Sequence, residues 1–221
     1  AALLVDQVDP GAAFALLPAD HVIADGEGFR KVLAGAFEAA EQNDFLVTIG
    51  IEPDFPSTGY GYLKQGEKLT DAEALPFHRV ERFVEKPNLN KAQEYLDAGG
   101  YFWNAGMFVW RPDVILGAIS KHAPELSAGL KELVAQRDST GSIDQAMDLV
   151  YPSLQKISID FAVMEKAEDV VMLQSAFDWD DVGEWPAIAR HYPADDAGNV
   201  FKGHGSALEA QDNLTYAEPG H

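Results

Sequence analysis

Residues 25–51, DGEGFRKVLAGAFEAAEQNDFLVTIGI, hold the pattern that decides the fold. Asp25 is a typical helix N-cap, and the apolar residues after it recur at three- and four-residue spacing, as on the buried face of a helix. These residues are Phe29, Val32, Leu33, Ala36, Phe37 and Ala40. The apolar run at residues 45–51 is typical of a strand buried on both faces. A helix followed by a buried strand predicts a layered α/β domain.

The same alternation continues on both sides of this stretch. Further strands are predicted at residues 14–17, 80–84, 101–110 and 170–174. Helices are predicted from Asn88 or Asn90 up to Gly99 and Gly100, from Pro112 onward in two or three segments to residue 150, and at residues 185–191. We therefore predict an α/β fold with a mostly parallel mixed sheet, in which ligands bind beyond the carboxyl ends of the strands.

The composition changes near residue 197. From there the chain is rich in Gly, Asn and Asp with short apolar pairs, whereas residues 1–196 keep the alternation of strands and helices. We predict one domain over residues 1–196 and the start of a β-rich C-terminal module at residues 197–221.

The charge and composition exclude several classes of function. The 221 residues carry 16 basic and 36 acidic side chains, a net charge of −20, which argues against nucleic acid and anionic membranes as partners because both require a basic surface. No apolar run reaches the roughly 18 residues of a membrane span, and no basic residue precedes the apolar start, so neither a span nor a signal peptide is predicted. The absence of cysteine excludes disulfides, thiolate zinc sites and cysteine nucleophiles, and fits a cytoplasmic location.

Two acidic clusters are candidates for holding a hard cation. Asp20 lies in segment 17–21, LPADH, and Asp181 lies in segment 179–183, WDDVG. Carboxylate oxygens are the ligands that Mg²⁺ prefers. Each cluster also has a structural alternative, since an aspartate after a strand often serves a turn or a helix cap, and Gly183 can close a turn. His21, beside Asp20, is the only histidine of interest, because the six histidines show no metal-ligand spacing.

Three further clusters suit a sugar phosphate. In segment 83–87, FVEKP, Glu85 can accept hydrogen bonds from sugar hydroxyls and Lys86 offers a point charge for phosphate. In segment 103–108, WNAGMF, Asn104 supplies both a donor and an acceptor. In segment 59–62, GYGY, Gly61 lets a ligand approach the backbone. Each cluster has a structural alternative: a surface ion pair for FVEKP, a core strand with a tight bend for WNAGMF, and a plain loop for GYGY.

The order of six motifs resembles the mannose-1-phosphate guanylyltransferase family of sugar-1-phosphate nucleotidyltransferases. The motifs are PADH (18–21), TGYGY (58–62), FVEKP (83–87), WNAGMF (103–108), SIDFAVMEK (158–166) and WDDVG (179–183). Together they extend from about residue 17 to residue 185. The resemblance implies a Rossmann-like nucleotidyltransferase domain that joins mannose 1-phosphate to GTP, giving GDP-mannose and pyrophosphate.

The resemblance also implies roles for individual residues. Asp20 and Asp181 match the aspartates that hold the catalytic Mg²⁺, and with Lys86, which faces the sugar's phosphate, they form the catalytic set. Glu85 matches the residue that contacts the sugar. Asn104 and Gly61 match positions that line the mannose pocket, and Asp160 matches the aspartate of the SIDFAVMEK motif.

The sequence departs from the family at both ends. It lacks the glycine-rich loop, GGxGTRLWP, whose backbone N–H groups cradle the nucleotide phosphates, and its β-rich end stops at His221. The expectation is therefore an internal fragment that has little activity by itself. An incomplete sheet edge also favours self-association, including a homodimer. Two alternatives stay open: a transferase for another sugar phosphate or nucleotide, and a non-catalytic sugar-nucleotide sensor or oligomerisation module.

Overall fold

A computed structural model describes residues 1–69 and 75–217 of the chain. The chain divides into two compact units. The first comprises Ala1–Leu17 and Glu27–Ala176, and the second comprises Pro18–Gly26 and Phe177–His221. Residues 218–221 of the predicted C-terminal module lie outside the described residues. The module's boundary at residue 197 stays a prediction.

The described residues form seven α-helices, and all but the first lie close to a predicted position. They are α1 (Ala2–Val8), α2 (Gly26–Gln42), α3 (Leu89–Ala98), α4 (Pro112–His122), α5 (Pro124–Thr140), α6 (Ile143–Val150) and α7 (Trp185–Ala189). The local signals explain several of their ends. The Asn88 side chain accepts a hydrogen bond from the Lys91 N–H at the start of α3, and Gly99 follows its last turn at a positive φ of 68°. A π-helix at Asp160–Met164 was not predicted.

The strands include the five that the sequence analysis placed within a few residues and one long strand that it missed. They are β1 (Phe14–Leu16), β2 (His21–Val22), β3 (Leu46–Ile51), β4 (Tyr62–Lys68), β5 (Phe77–Val84), β6 (Tyr101–Trp110), β7 (Val170–Gln174), β8 (Asp180–Asp181), β9 (Val200–Lys202) and β10 (Leu214–Tyr216). All six residues of β3 are buried, as its continuous apolar run predicts. The missed strand is β4, whose outer half is polar and only partly buried.

The first unit contains a six-stranded mixed sheet in the order β1-β6-β3-β7-β5-β4. The α/β class and the mixed sheet are confirmed, but the expected predominance of parallel pairs is wrong. Among the described strands of this sheet only β3 and β7 pair in parallel, and the other five pairings are antiparallel. Helix α3 does connect strands that run in the same direction, β5 and β6. These two are not neighbours, however, because β6 pairs with β1, β3 and β4 instead.

Strand β6 changes register where it passes β3. Thr48 of β3 lies opposite Phe108, whereas Gly50 lies opposite Asn104, so β6 carries two extra residues between these pairs. Gly106, inside this bulge, has a φ of 66°, a conformation that glycine adopts without strain. The bulge brings the Gly106 N–H within 3.3 Å of the Asn104 side-chain oxygen.

The second unit contains two small sheets. Strands β2 and β8 form a two-residue antiparallel pair, and β9 pairs in parallel with β10. Asn199 and Asn213 precede the two parallel strands, and Asn213 Nδ2 donates to Asn199 Oδ1 at 2.9 Å. Over the described part of the chain, no helix combines the length and apolarity that a membrane span requires.

Candidate active site

Asp20 and Asp181 lie together although 160 residues separate them in sequence. The antiparallel pairing of β2 with β8 places His21 opposite Asp181, and the Val182 N–H donates to the Asp20 carbonyl at 2.9 Å. One ligand atom each from Asp20, His21 and Asp181 lies within 4.8 Å of the other two. This proximity is what shared binding of one cation requires, and the role of the two carboxylates stays a prediction.

Gly183 leaves the space in which the two carboxylates approach each other. A Cβ atom at this position would stand 3.0 Å from Asp181 Oδ1 and 3.2 Å from Asp20 Oδ2. The Gly183 N–H also donates to Asp181 Oδ1 at 2.9 Å, which fixes the orientation of that carboxylate. The glycine of the WDDVG motif is therefore explained by space around the carboxylates as well as by a turn.

The His21 ring is oriented by a hydrogen bond from Trp179. The Trp179 indole N–H donates to His21 Nδ1 at 3.0 Å, and because an indole nitrogen only donates, Nδ1 must accept. Burial lowers the pKa of His21, although Asp181 and Asp20 oppose the shift, so the neutral ring carries its proton on Nε2. Neither ring nitrogen then offers a lone pair to a metal. The remaining donors are carboxylate oxygens, which fit a hard cation such as Mg²⁺.

Asp180 and Asp181 have different partners although they are adjacent. Asp180 accepts hydrogen bonds from Arg190 and from His191, whose Nε2 lies 2.7 Å from Asp180 Oδ2. Burial alone would raise the pKa of Asp180, but these hydrogen bonds outweigh it and hold the pKa below its usual value. Asp180 is thus paired within the protein, and Asp181 is the aspartate of the pair that faces Asp20.

The predicted sugar-site residues converge in the first unit. A Cβ at Gly61 would stand 2.5 Å from Glu85 Oε2 and 3.4 Å from the Asn104 Cβ. The Asn104 N–H donates to the Gly61 carbonyl at 2.8 Å, and Asn104 Nδ2 donates to Asp160 Oδ1 at 3.3 Å. Lys86 Nζ lies 3.8 Å from Glu85 Oε1. The structure therefore places all five residues in one small region, where β5 ends, β4 begins and β6 carries Asn104.

The Asn104 amide is oriented by a residue that the sequence analysis missed. The fully buried Thr48 hydroxyl lies 2.8 Å from Asn104 Oδ1 and 3.1 Å from the Met107 carbonyl, and the Gly106 N–H also reaches Asn104 Oδ1 at 3.3 Å. Because donors surround this atom of the Asn104 amide, it is the oxygen. The NH₂ group therefore points to Asp160. A polar residue inside an otherwise apolar strand was the only sequence signal for Thr48.

Negative charge accumulates around Glu85. Its side chain is only 11% exposed, and burial, with Asp160 and Glu165 nearby, raises its pKa to about 7, while Lys86 opposes the shift. Burial also raises the pKa of Asp160. Burial of a carboxylate beside other acidic groups lowers stability. Carboxyl groups with pKa values shifted in this way are typical of functional sites.

An aromatic cluster that the sequence analysis also missed adjoins Gly61. The ring centroid of Trp103 lies 4.7 Å from that of Phe55 and 5.1 Å from that of Tyr60. Phe55 is 43% exposed, so this cluster has an open apolar face. Such a face suits the C–H groups of a sugar ring.

The substitution Gly61→Ala should weaken ligand binding at this site without unfolding the protein. Its methyl group would overlap the end of the flexible Glu85 side chain, which can turn away at little cost to stability. For mannose 1-phosphate, the ligand that the resemblance of the six motifs implies, we expect affinity to fall about tenfold, equivalent to about 1.4 kcal/mol. Gly117→Ala in α4 is the control, because a Cβ there meets nothing within 4 Å. Calorimetric titration and thermal melts separate the two effects, and equal affinity in both variants would contradict the prediction.

A sequence model of the nucleotidyl transferase family matches residues 1–197. The chain therefore belongs to the nucleotidyl transferase family. It is 34% identical to a mannose-1-phosphate guanylyltransferase of Sinorhizobium fredii, over 100% of this chain and 42% of that protein. It is 40% identical to a protein of the same name from Salmonella montevideo, over 95% of this chain and 44% of that protein.

A solved structure supports the same relationship. The crystal structure described as mannose-1-phosphate geranyltransferase from Thermus thermophilus is 37% identical, with a TM-score of 0.78 over 97% of this chain and 60% of that chain. The resemblance that the six motifs indicate is thereby confirmed. The chain spans less than half the length of the two curated relatives.

Proposed function

We propose that this chain carries the sugar-phosphate and metal sites of an enzyme that transfers a guanylyl group from GTP to mannose 1-phosphate, giving GDP-mannose and pyrophosphate. The observation that carries the proposal is the convergence of Gly61, Glu85, Asn104 and Asp160 in one small region. The names of the relatives support the choice of sugar and nucleotide. A cytoplasmic location and a homodimer stay predictions, as does low activity of these 221 residues alone.

The sugar is held by residues of complementary polarity. The Glu85 carboxylate accepts hydrogen bonds from sugar hydroxyls, and Asn104 donates through the Nδ2 hydrogen that remains after its bond to Asp160. Gly61 leaves room for the Glu85 carboxylate to lie beside its backbone, since a Cβ there would stand 2.5 Å from Glu85 Oε2. Lys86, 61% exposed, extends toward solvent and binds the sugar's phosphate as a point charge.

The reaction is an in-line displacement at phosphorus. An oxygen of the mannose phosphate forms a bond to the α-phosphorus of GTP while the bond from that phosphorus to the bridging oxygen breaks, and pyrophosphate leaves with the electron pair. Asp20 and Asp181 would hold Mg²⁺, which offsets the charge that develops on the phosphates. Local cations matter here because the chain has a net charge of −20. Lys86 positions the attacking phosphate, and most of the catalysis comes from such positioning.

Calorimetric titration with mannose 1-phosphate tests the proposal directly. Binding is measured rather than turnover because the 221 residues alone are expected to turn over slowly. Glucose 1-phosphate, which differs at one hydroxyl, and mannose, which lacks the phosphate, are the comparison ligands. We expect mannose 1-phosphate to bind most tightly, and Asn104→Ala to lose that preference. Equal affinity for the two sugar phosphates would favour another substrate, and no binding of any would favour a non-catalytic module.

The raised pKa of Glu85 predicts how stability varies with pH. An unfolded glutamate titrates near 4.5, whereas Glu85 titrates at about 7 in the folded protein, so the folded state holds the proton more tightly. Its contribution to stability is fully present below pH 4.5 and is lost as the pH rises through 7. Glu85→Gln should therefore melt higher than the unmodified protein at about pH 8 but not at about pH 4.5. Glu67→Gln, an exposed control on β4, should show no such pH-dependent difference.

A further inference from the structure

Glu165 contacts the sugar-phosphate site through the backbone of another segment. Its Oε1 accepts a hydrogen bond from the Glu85 N–H at 3.0 Å, across 80 residues of sequence. The contact involves the amide of the residue that is proposed to bind the sugar, and it lies directly before Lys86. Glu165 is itself exposed, so this bond contributes little to the folding of the core.

The segment that Glu165 holds has a strained backbone. Lys86 has a φ of 45°, and among the described residues only two other non-glycine residues, Glu209 and Asp212, have a positive φ. A side chain with a Cβ in this left-handed region costs on the order of 1–3 kcal/mol and persists only where its surroundings impose it. The Glu165 carboxylate is one such restraint, because it holds the N–H of Glu85, the residue before Lys86.

The π-helix explains how one short segment supports two parts of the site. The Glu165 N–H donates to the Asp160 carbonyl at 3.0 Å, a bond that spans five residues. In an α-helix these two residues would lie about 140° apart around the axis, whereas a π-turn stacks them nearly one above the other. Asp160 then reaches the Asn104 side chain, and Glu165 reaches the Glu85 backbone.

We propose that Glu165 is a positioning residue for the sugar phosphate, whose carboxylate holds the Glu85 amide and thereby fixes the left-handed turn that directs Lys86 toward the phosphate. The inference rests on the proposed function. The role assigned to Glu165 is exerted through the Glu85 backbone and requires no contact with the sugar. Its effect should therefore depend on the hydrogen-bond acceptor and much less on the charge.

Two substitutions of Glu165 distinguish the loss of its hydrogen-bond acceptor from the loss of its negative charge. Glu165→Gln keeps an amide oxygen that can accept from the Glu85 N–H, whereas Glu165→Ala removes the acceptor. Glu168→Ala is the matched control, since Glu168 is an exposed glutamate three residues further along. We expect Glu165→Ala to weaken binding of mannose 1-phosphate about tenfold, in the range of one hydrogen bond. Glu165→Gln and Glu168→Ala should remain within about threefold of the unmodified protein.

Amide hydrogen exchange of Glu85, followed by NMR without ligand, supplies a readout independent of substrate. Protection of this amide should be lost in Glu165→Ala and kept in Glu165→Gln, with melting temperatures unchanged. Retained protection in Glu165→Ala would overturn the role of Glu165 whatever the substrate is, and so would equal loss of affinity in the Ala and Gln variants. If the unmodified protein binds no mannose 1-phosphate while the exchange pattern is as expected, it is the proposed function that fails.

Discussion

Asp181→Ala should abolish divalent-cation binding by this protein. Within the described part of the chain, the carboxylates of the cluster come from Asp181 and Asp20, and the hydrogen bond from Trp179 occupies the Nδ1 lone pair of His21. Loss of one of two anionic ligands should reduce the affinity for the cation by more than about 100-fold. Even the loss of a residue that only hydrogen-bonds to a metal ligand typically reduces affinity about 10–100-fold. Mn²⁺ is the probe, because it takes the same oxygen ligands as Mg²⁺ and is visible by electron paramagnetic resonance.

The adjacent aspartate provides a sharp control for this experiment. Asp180→Asn removes a charge one residue away, but Asp180 is paired with Arg190 and His191 and does not face Asp20. Its affinity for Mn²⁺ should stay within a few-fold of that of the unmodified protein. Gly183→Ala should weaken Mn²⁺ binding although it removes no ligand, because its Cβ would crowd both carboxylates. Undiminished Mn²⁺ binding in Asp181→Ala would place the cation elsewhere.

Local signals were sufficient to predict most of the helices and strands. Strands β6 and β7 lie at the predicted residues, and α3 begins and ends where Asn88 and Gly99 indicate. These features depend on residues within a few positions of each other, and a single sequence records such patterns directly. Strand β4 was missed because its outer residues are polar and Gly66 interrupts it, so no period-two pattern marks it.

The order of the strands could not be predicted in the same way. Pairing of β3 with β7 joins residues more than 120 positions apart, and nothing in either run of apolar residues specifies the partner. The expectation of mostly parallel pairs assumed that strands joined by a helix become neighbours. Strands β5 and β6 run in the same direction, but they are not hydrogen-bonded to each other.

The site residues were nominated through motifs, and their mutual positions required the structure. Taken alone, Asp20, Asp181 and Asn104 each also had a structural explanation. Thr48 and Glu165 were not nominated, since one contributes a hydroxyl from inside a buried strand and the other an acceptor to a backbone amide 80 residues away. Contacts of that kind leave no spacing pattern in the sequence. The choice between the two adjacent aspartates of the WDDVG motif likewise follows from their different partners.

Lys86 combines an unfavourable backbone with the one charge proposed to meet the sugar's phosphate. Its φ of 45° is a conformation that a glycine adopts freely and a lysine adopts at a cost. Its ammonium group lies 3.8 Å from a Glu85 carboxylate oxygen and opposes the rise in the pKa of that carboxyl. A lysine at such a position is expected where function requires it and stability does not.

Lys86→Gly should therefore separate function from stability. We expect its melting temperature to equal or exceed that of the unmodified protein, because relief of about 1–2 kcal/mol of backbone strain offsets the roughly 0.5–1 kcal/mol that glycine's added chain entropy costs. Affinity for mannose 1-phosphate should fall at least about tenfold, since a charge-assisted hydrogen bond contributes about 1.5–3 kcal/mol. Lys86→Gln retains the bulk and the strain but not the charge, so it should lose as much affinity without gaining stability. Loss of affinity in Lys86→Gly but not in Lys86→Gln, measured by calorimetric titration, would show that the side chain fills space at the site and does not bind the phosphate through its charge.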